Sequence, residues 1–137
     1  MTATAALKAA LEAEFAAVYL YGLIGGRASR GGKPAEIARI NANYATHRTR
    51  RDQLLAFLGT DAPAPAVAYT PPVDPTTPKT RTACAQAVEV GCEAIYADLV
   101  AATTGSQRAF AIKALASVST AAGELGQQAV AFPGLTL

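Results

Sequence analysis

The chain holds one histidine, His47, and that scarcity limits its chemistry more than any motif extends it. Glu14 lies between Leu11 and Val18 within an apolar stripe of the first helical segment. Arg51 stands one turn beyond His47 on the apolar stripe of the second. A carboxylate turned into a core must find a cation or hydrogen-bond donor. The spacing therefore predicts a buried polar network of Glu14, His47 and Arg51 between the first two helices, joined by Tyr21 and Tyr44. Its plainest use is a satisfied structural ion pair that fixes the register of the two helices.

The sharper use is metal ligation. Di-metal carboxylate bundles take a glutamate from each of two helices and a Glu-x-x-His pair from each of the other two, which requires two histidines. Here the corresponding stretch of the second helix reads Tyr44-Ala45-Thr46-His47. On the last helix the nearest analogue is Glu124-Leu125-Gly126-Gln127, whose Glu124 and Gln127 fall off the apolar stripe. A di-metal site is not expected. What remains is a reduced site for one iron, manganese or zinc ion on Glu14, His47 and Glu89, with redox chemistry as its consequence. Glu89 falls at the edge of the third helix's apolar face, beside Cys92 and Tyr96.

Other chemistries fail on spacing. Gly26-Arg27-Ala28-Ser29-Arg30-Gly31-Gly32-Lys33 has a phosphate-loop flavour, but its spacing is one residue too long, Pro34 replaces the Ser or Thr, and a helix precedes it. No Gly-x-Ser-x-Gly elbow accompanies His47, and Cys92 lacks the exposure and imidazole neighbour of a nucleophile. No catalytic residue and no firm cofactor is assigned, and the expected role is non-enzymatic, structural or small-ligand-binding.

The elements that must position these groups follow from periodicity and punctuation. Leu7, Leu11, Glu14, Phe15, Val18 and Tyr21 share one helical face, giving a first helix from Thr4 to Ile24 ended by Gly25-Gly26. Pro34 opens a second helix, which runs to Leu58 and stops at Gly59. Pro63, Pro65, Pro71, Pro72, Pro75 and Pro78 then forbid helix and predict an extended strap over 59–78. A third helix runs from Thr80 to Ala102. A fourth runs from Ser106 to Ala129, before a tail expected to set Phe132 onto the core. The chain reads as one domain over 1–137. It is all-α: a ferritin-like four-helix bundle of two helical hairpins joined by a long proline-rich crossover.

Twelve basic and ten acidic residues leave a net charge of +2, too balanced to favour nucleic acid. The one basic cluster, Arg48, Arg50 and Arg51, has no interleaved aromatics. Neither a signal peptide nor a membrane span is legible, so a soluble cytoplasmic protein is expected. Cys84 and Cys92 would lie ~12 Å apart along one helix, beyond the ~7 Å reach of a disulfide. An alanine-rich core buries little area per residue, and a homodimer would relieve that.

The run Glu14-Phe15-Ala16-Ala17-Val18-Tyr19-Leu20-Tyr21-Gly22, the segment His47-Arg48-Thr49-Arg50-Arg51-Asp52, Tyr96-Ala97-Asp98-Leu99-Val100 and the ending Ala131-Phe132-Pro133-Gly134-Leu135 resemble an alanine-rich, ferritin-like domain family of unknown function found in actinobacteria. The resemblance implies a ferritin-like bundle, dimeric, with Glu14, His47, Arg48, Arg51 and Glu89 at the family's polar positions, and no established activity. Members read Glu-His where this chain has Glu14-Phe15, a departure that removes a second imidazole.

Overall fold

A computed structural model describes residues 1–136. It contains four α-helices, α1 (Ala3–Ala28), α2 (Pro34–Leu58), α3 (Pro78–Ala102) and α4 (Gly105–Glu124), with one 3-10 turn at Gly59–Asp61. There is no strand among the described residues. Thr2 starts α1 by accepting the Ala5 N–H at 3.1 Å. Thr77 and Thr80 start α3 reciprocally, each hydroxyl accepting the other's backbone N–H, so orphan donors of the first turn are met.

Direction follows from one contact. Glu36 in the first turn of α2 is bonded to Arg81 near the start of α3, so both helices begin at the same end. The connection between them must then return along the full length. An α2 of 25 residues rises roughly 37 Å, and about 16 extended residues at ~3.1 Å each can span it. That strap lies over α1: Tyr69 meets Tyr19 with ring centroids 5.7 Å apart, and Asp74 pairs with Arg27 at 3.5 Å. Pro75 is fully buried. Helix α1 rests against α2 and α3, and α3 against α4, while α2 and α4 meet only thinly.

The helix ends correct two expectations. Helix α1 does not stop at Gly25-Gly26 but continues to Ala28, since neither glycine takes the left-handed conformation that would turn the chain. Conversely, α4 ends at Glu124, short of Ala129, as Gly126 turns the chain at φ +104. The tail does not bury Phe132, which remains 56% exposed. It is held instead by Gly134, whose φ of +78 brings it so close to the Glu93 and Ala94 backbone that a Cβ would overlap it. Cys84 and Cys92 are both free and buried. No helix among the described residues is long and apolar enough to cross a membrane.

The core divides in two. One apolar cluster gathers Leu7, Leu11, Leu54, Leu58, Tyr96, Leu99 and Val118. The other gathers Leu20, Tyr21, Ile24, Ile40, Cys84, Val88 and Leu125. Glu14, His47 and Glu89 stand in each helix at the point where one cluster gives way to the other.

Candidate functional site

Five side chains form one hydrogen-bonded line across the dividing layer. Tyr21 of α1 donates its hydroxyl to Glu89 Oε1 at 2.6 Å. Glu89 Oε1 also lies 3.0 Å from His47 Nε2. His47 Nδ1 lies 2.5 Å from Glu14 Oε2, and Tyr96 of α3 donates to Glu14 Oε1. Glu14, His47, Glu89, Tyr21 and Tyr96 are all at most 1% exposed. The His47 ring stacks on Tyr21 at 5.2 Å, which fixes the plane in which both ring nitrogens reach their carboxylates. Asn43 supports the line from outside, donating to the Tyr21 hydroxyl oxygen at 3.2 Å.

Charge is balanced within the layer. Arg50 Nη1 stands 3.8 Å from Glu14 Oε1, Nη2 donates to Ser117 of α4 at 2.5 Å, and the guanidinium sits 5.9 Å from the Tyr96 ring centroid. Two carboxylates thus face an imidazolium and a guanidinium, which is how buried charge becomes tolerable. Burial works against the charged imidazole, but the hydrogen bonds to Glu14 and Glu89 and the charges of those groups outweigh it, and its pKa rises from 6.5 to about 9. Burial, and then the Glu89 charge, push the Tyr21 phenol up. Burial followed by the Glu14 charge does the same to Tyr96. Both tyrosines therefore remain donors. Cys92 is driven well above its ordinary value by burial, then by Glu14 and Glu89, so it presents a thiol and not a nucleophile.

The structure gathers Glu14, His47 and Tyr21 from the sequence-expected set and leaves two members out. Arg51 turns to its neighbour Asp52, at 2.9 Å, and Arg50 occupies the interior position. The two arginines flank the buried stripe of α2, and only the side carrying Arg50 faces α4 and Ser117. Hydrophobic periodicity cannot choose between adjacent arginines. Tyr44 is half-buried under Arg48, whose guanidinium lies 5.6 Å from its ring centroid, outside the line. Glu89, expected at an edge, is 1% exposed at the centre.

A signal for Glu89 and Tyr96 does exist in the sequence. Tyr21 follows Glu14 by two helical turns, Tyr96 follows Glu89 by the same two turns, and the N-caps Thr2 and Thr77 keep that offset. The pairs bond crosswise, each tyrosine to the other pair's glutamate. Helices α1 and α3 are thus equivalent halves, and His47 is the group between them without a counterpart.

The residues do not fit a di-metal centre. Both nitrogens of the one histidine are taken, α4 sends in only Ser117, and Glu124 is exposed. Gln127 is bonded to Gln86. Among the described residues no three His, Cys, Asp or Glu side chains converge as a metal-holding group. Two buried polar atoms of the layer lack a hydrogen-bond partner, Arg50 Nη1 and the carboxylate oxygen Glu89 Oε2.

A family model described as a domain of unknown function (DUF4439) matches residues 6–137. The chain belongs to the DUF4439 family. Its fold is similar to the crystal structure of a conserved hypothetical protein, rv2844, from Mycobacterium tuberculosis. The two share 27% identity at a TM-score of 0.80, over 90% of this chain and 93% of that one. No curated protein matches the sequence.

Proposed function

We propose that this DUF4439 chain is a non-enzymatic, ferritin-like four-helix bundle, a structural or small-ligand-binding protein that works as a cytoplasmic homodimer. In this reading the His47 imidazolium stands in the interior where di-metal bundles hold their cations. One observation carries it: His47 is held through both ring nitrogens by carboxylates from α1 and α3, at 2.5 and 3.0 Å. The up-down-down-up course of the helices and the long crossover support the ferritin-like assignment. Exposed Ile112, Val130 and Leu135 supply apolar surface for a second copy to cover.

The orphaned Glu89 Oε2 favours a second reading, in which one divalent ion replaces the proton at His47 Nε2 and would be held there by His47 and Glu89, with Glu14 on the opposite ring nitrogen orienting the imidazole. A bound ion there would supply Lewis-acid or redox chemistry, with Tyr21 and Tyr96 orienting the carboxylates.

The two readings separate on metal content. Protein purified without chelator, refilled with ferrous iron or zinc and desalted should hold far less than one equivalent. The imidazole of His47 should show both N–H protons by NMR at neutral pH. Near-stoichiometric metal that is lost in His47→Ala would overturn the first reading in favour of the second. Light scattering should give twice the chain mass.

A further inference from the structure

A second site lies away from the buried layer, at the end where α2 and α3 begin. Helix α4 ends at Glu124, and a hollow of about 380 Å³ opens between the first turns of α2 and α3, with Leu125 and Gly31 also lining it. Its floor is apolar and fixed, made by Ile40, Ala85 and Leu125, each at most 8% exposed. Its back wall is the Arg81 guanidinium, itself 6% exposed and clamped on both oxygens of Glu36 at 2.5 and 3.2 Å. Lys33 and Arg39 stand on the rim, exposed, and neither forms an ion pair among the described residues.

The charge count decides what such a hollow takes. Glu36 is the only acid in the lining, and Arg81 already neutralises it, so Lys33 and Arg39 leave an uncompensated charge of two over an apolar floor. Size, a mostly apolar lining and a few convergent polar groups are the marks of a small-molecule pocket. An arginine fork and an ammonium lining one hollow suit a phosphate or carboxylate. A cationic or neutral ligand would gain nothing from that rim.

We propose that this hollow binds a small organic anion, its charged head held by Lys33 and Arg39 and its apolar body laid on Ile40, Ala85 and Leu125. This deepens the small-ligand part of the reading above and rests on it. No residue of the buried layer lines the hollow, and the state of that layer is reported separately by the His47 imidazole signal, so a failure here leaves the account of that layer standing.

The test is a titration of nitrogen-15-labelled full chain, followed by NMR, with hexyl phosphate as the probe. Hexanoate, hexanol, hexylamine and inorganic phosphate are run alongside. Hexyl phosphate or hexanoate should shift the amides of Ala35 to Ile40 and Arg81 to Ala85. Either should bind about tenfold or more tighter than hexanol or inorganic phosphate, since head and body each contribute. The double variant Lys33→Ala, Arg39→Ala, whose sites are exposed and whose folding is unburdened, should weaken that binding about tenfold or more. The proposal is overturned if hexylamine or inorganic phosphate binds as tightly as the organic anions. It is overturned equally if the double variant binds like the parent, or if the shifts fall outside the hollow.

Discussion

Raising the pH should remove the stability that the His47 imidazolium contributes. Its pKa of about 9 in the folded chain, against 6.5 for the free side chain, corresponds to roughly 3 kcal/mol at about 1.4 kcal/mol per pH unit. Because the folded value is the higher one, the folded state holds this proton more tightly. The contribution is complete below about pH 6.5, shrinks as pH rises through the window, and is gone above about pH 9. Against a total of about 5–15 kcal/mol for a domain, such a loss is easily read. The groups facing the ring are Glu14 and Tyr21 from α1, Arg50 from α2, and Glu89, Cys92 and Tyr96 from α3. The thiol and phenols among them, like the Cys84 thiol, are pushed above their ordinary values of 9.0 and 10.0 and affect stability only as their unfolded counterparts begin to ionise, so the interval from about pH 6.5 to about pH 8 is dominated by His47. Urea unfolding at constant ionic strength across that interval should lose stability with a slope approaching one proton, and the imidazole carbon shifts should titrate with a midpoint near the top of the window. A flat stability profile, or a midpoint at or below 6.5, would falsify the doubly held imidazolium.

Further outcomes follow from the same geometry. Arg50→Ala strips the buried Glu14 of its guanidinium and should cost roughly 3–5 kcal/mol, whereas Arg51→Ala loses only a half-exposed pair with Asp52 and should stay within about 0.5 kcal/mol. Equal losses in urea melts would refute the register assigned to α2. Gly134→Ala places a methyl group into the Glu93 carbonyl at positive φ, so limited proteolysis should clip the tail faster while the thermal midpoint of the helices barely moves. An unchanged clipping rate would mean that the tail does not sit where Gly134 puts it.

How much of this was legible in the sequence depends on which force wrote it. The four helices are readable because alanine and leucine recur at helical spacing and proline clears the strap between Leu58 and Pro78. Helix ends were less legible. Glycine stops a helix when the chain turns left-handed, as at Gly126, but Gly25 keeps a negative φ and α1 runs on past it. Glu14 and His47 stood out because a charge or an imidazole inside an apolar stripe is conspicuous. Arg50 and Tyr96 did not, and Glu89 was placed at an edge instead of the centre, since their burial depends on how α2 and α3 rotate against their neighbours, and a stripe's edge is read only to within about one residue in the helical turn.

The crosswise bonding of Tyr21 to Glu89 and Tyr96 to Glu14 explains why so alanine-rich a core would keep charges inside it. Small side chains let helices slide, because alanine knobs offer little resistance to a shift of one turn. Buried ionic groups add little net stability compared with apolar ones of the same volume. A one-turn slip of α1 against α3, about 5 Å, would break both tyrosine bonds at once and leave His47 holding at most one carboxylate. The penalty falls on wrong registers and not on the right one. The same register keeps the starts of α2 and α3 level, since α2 is tied to both through His47. That levelness lets Glu36 meet Arg81 and leaves the hollow beside them open. Disruption of the buried layer should therefore be felt at the far end of the helices, as a loss of organic-anion binding in Arg50→Ala but not in Arg51→Ala.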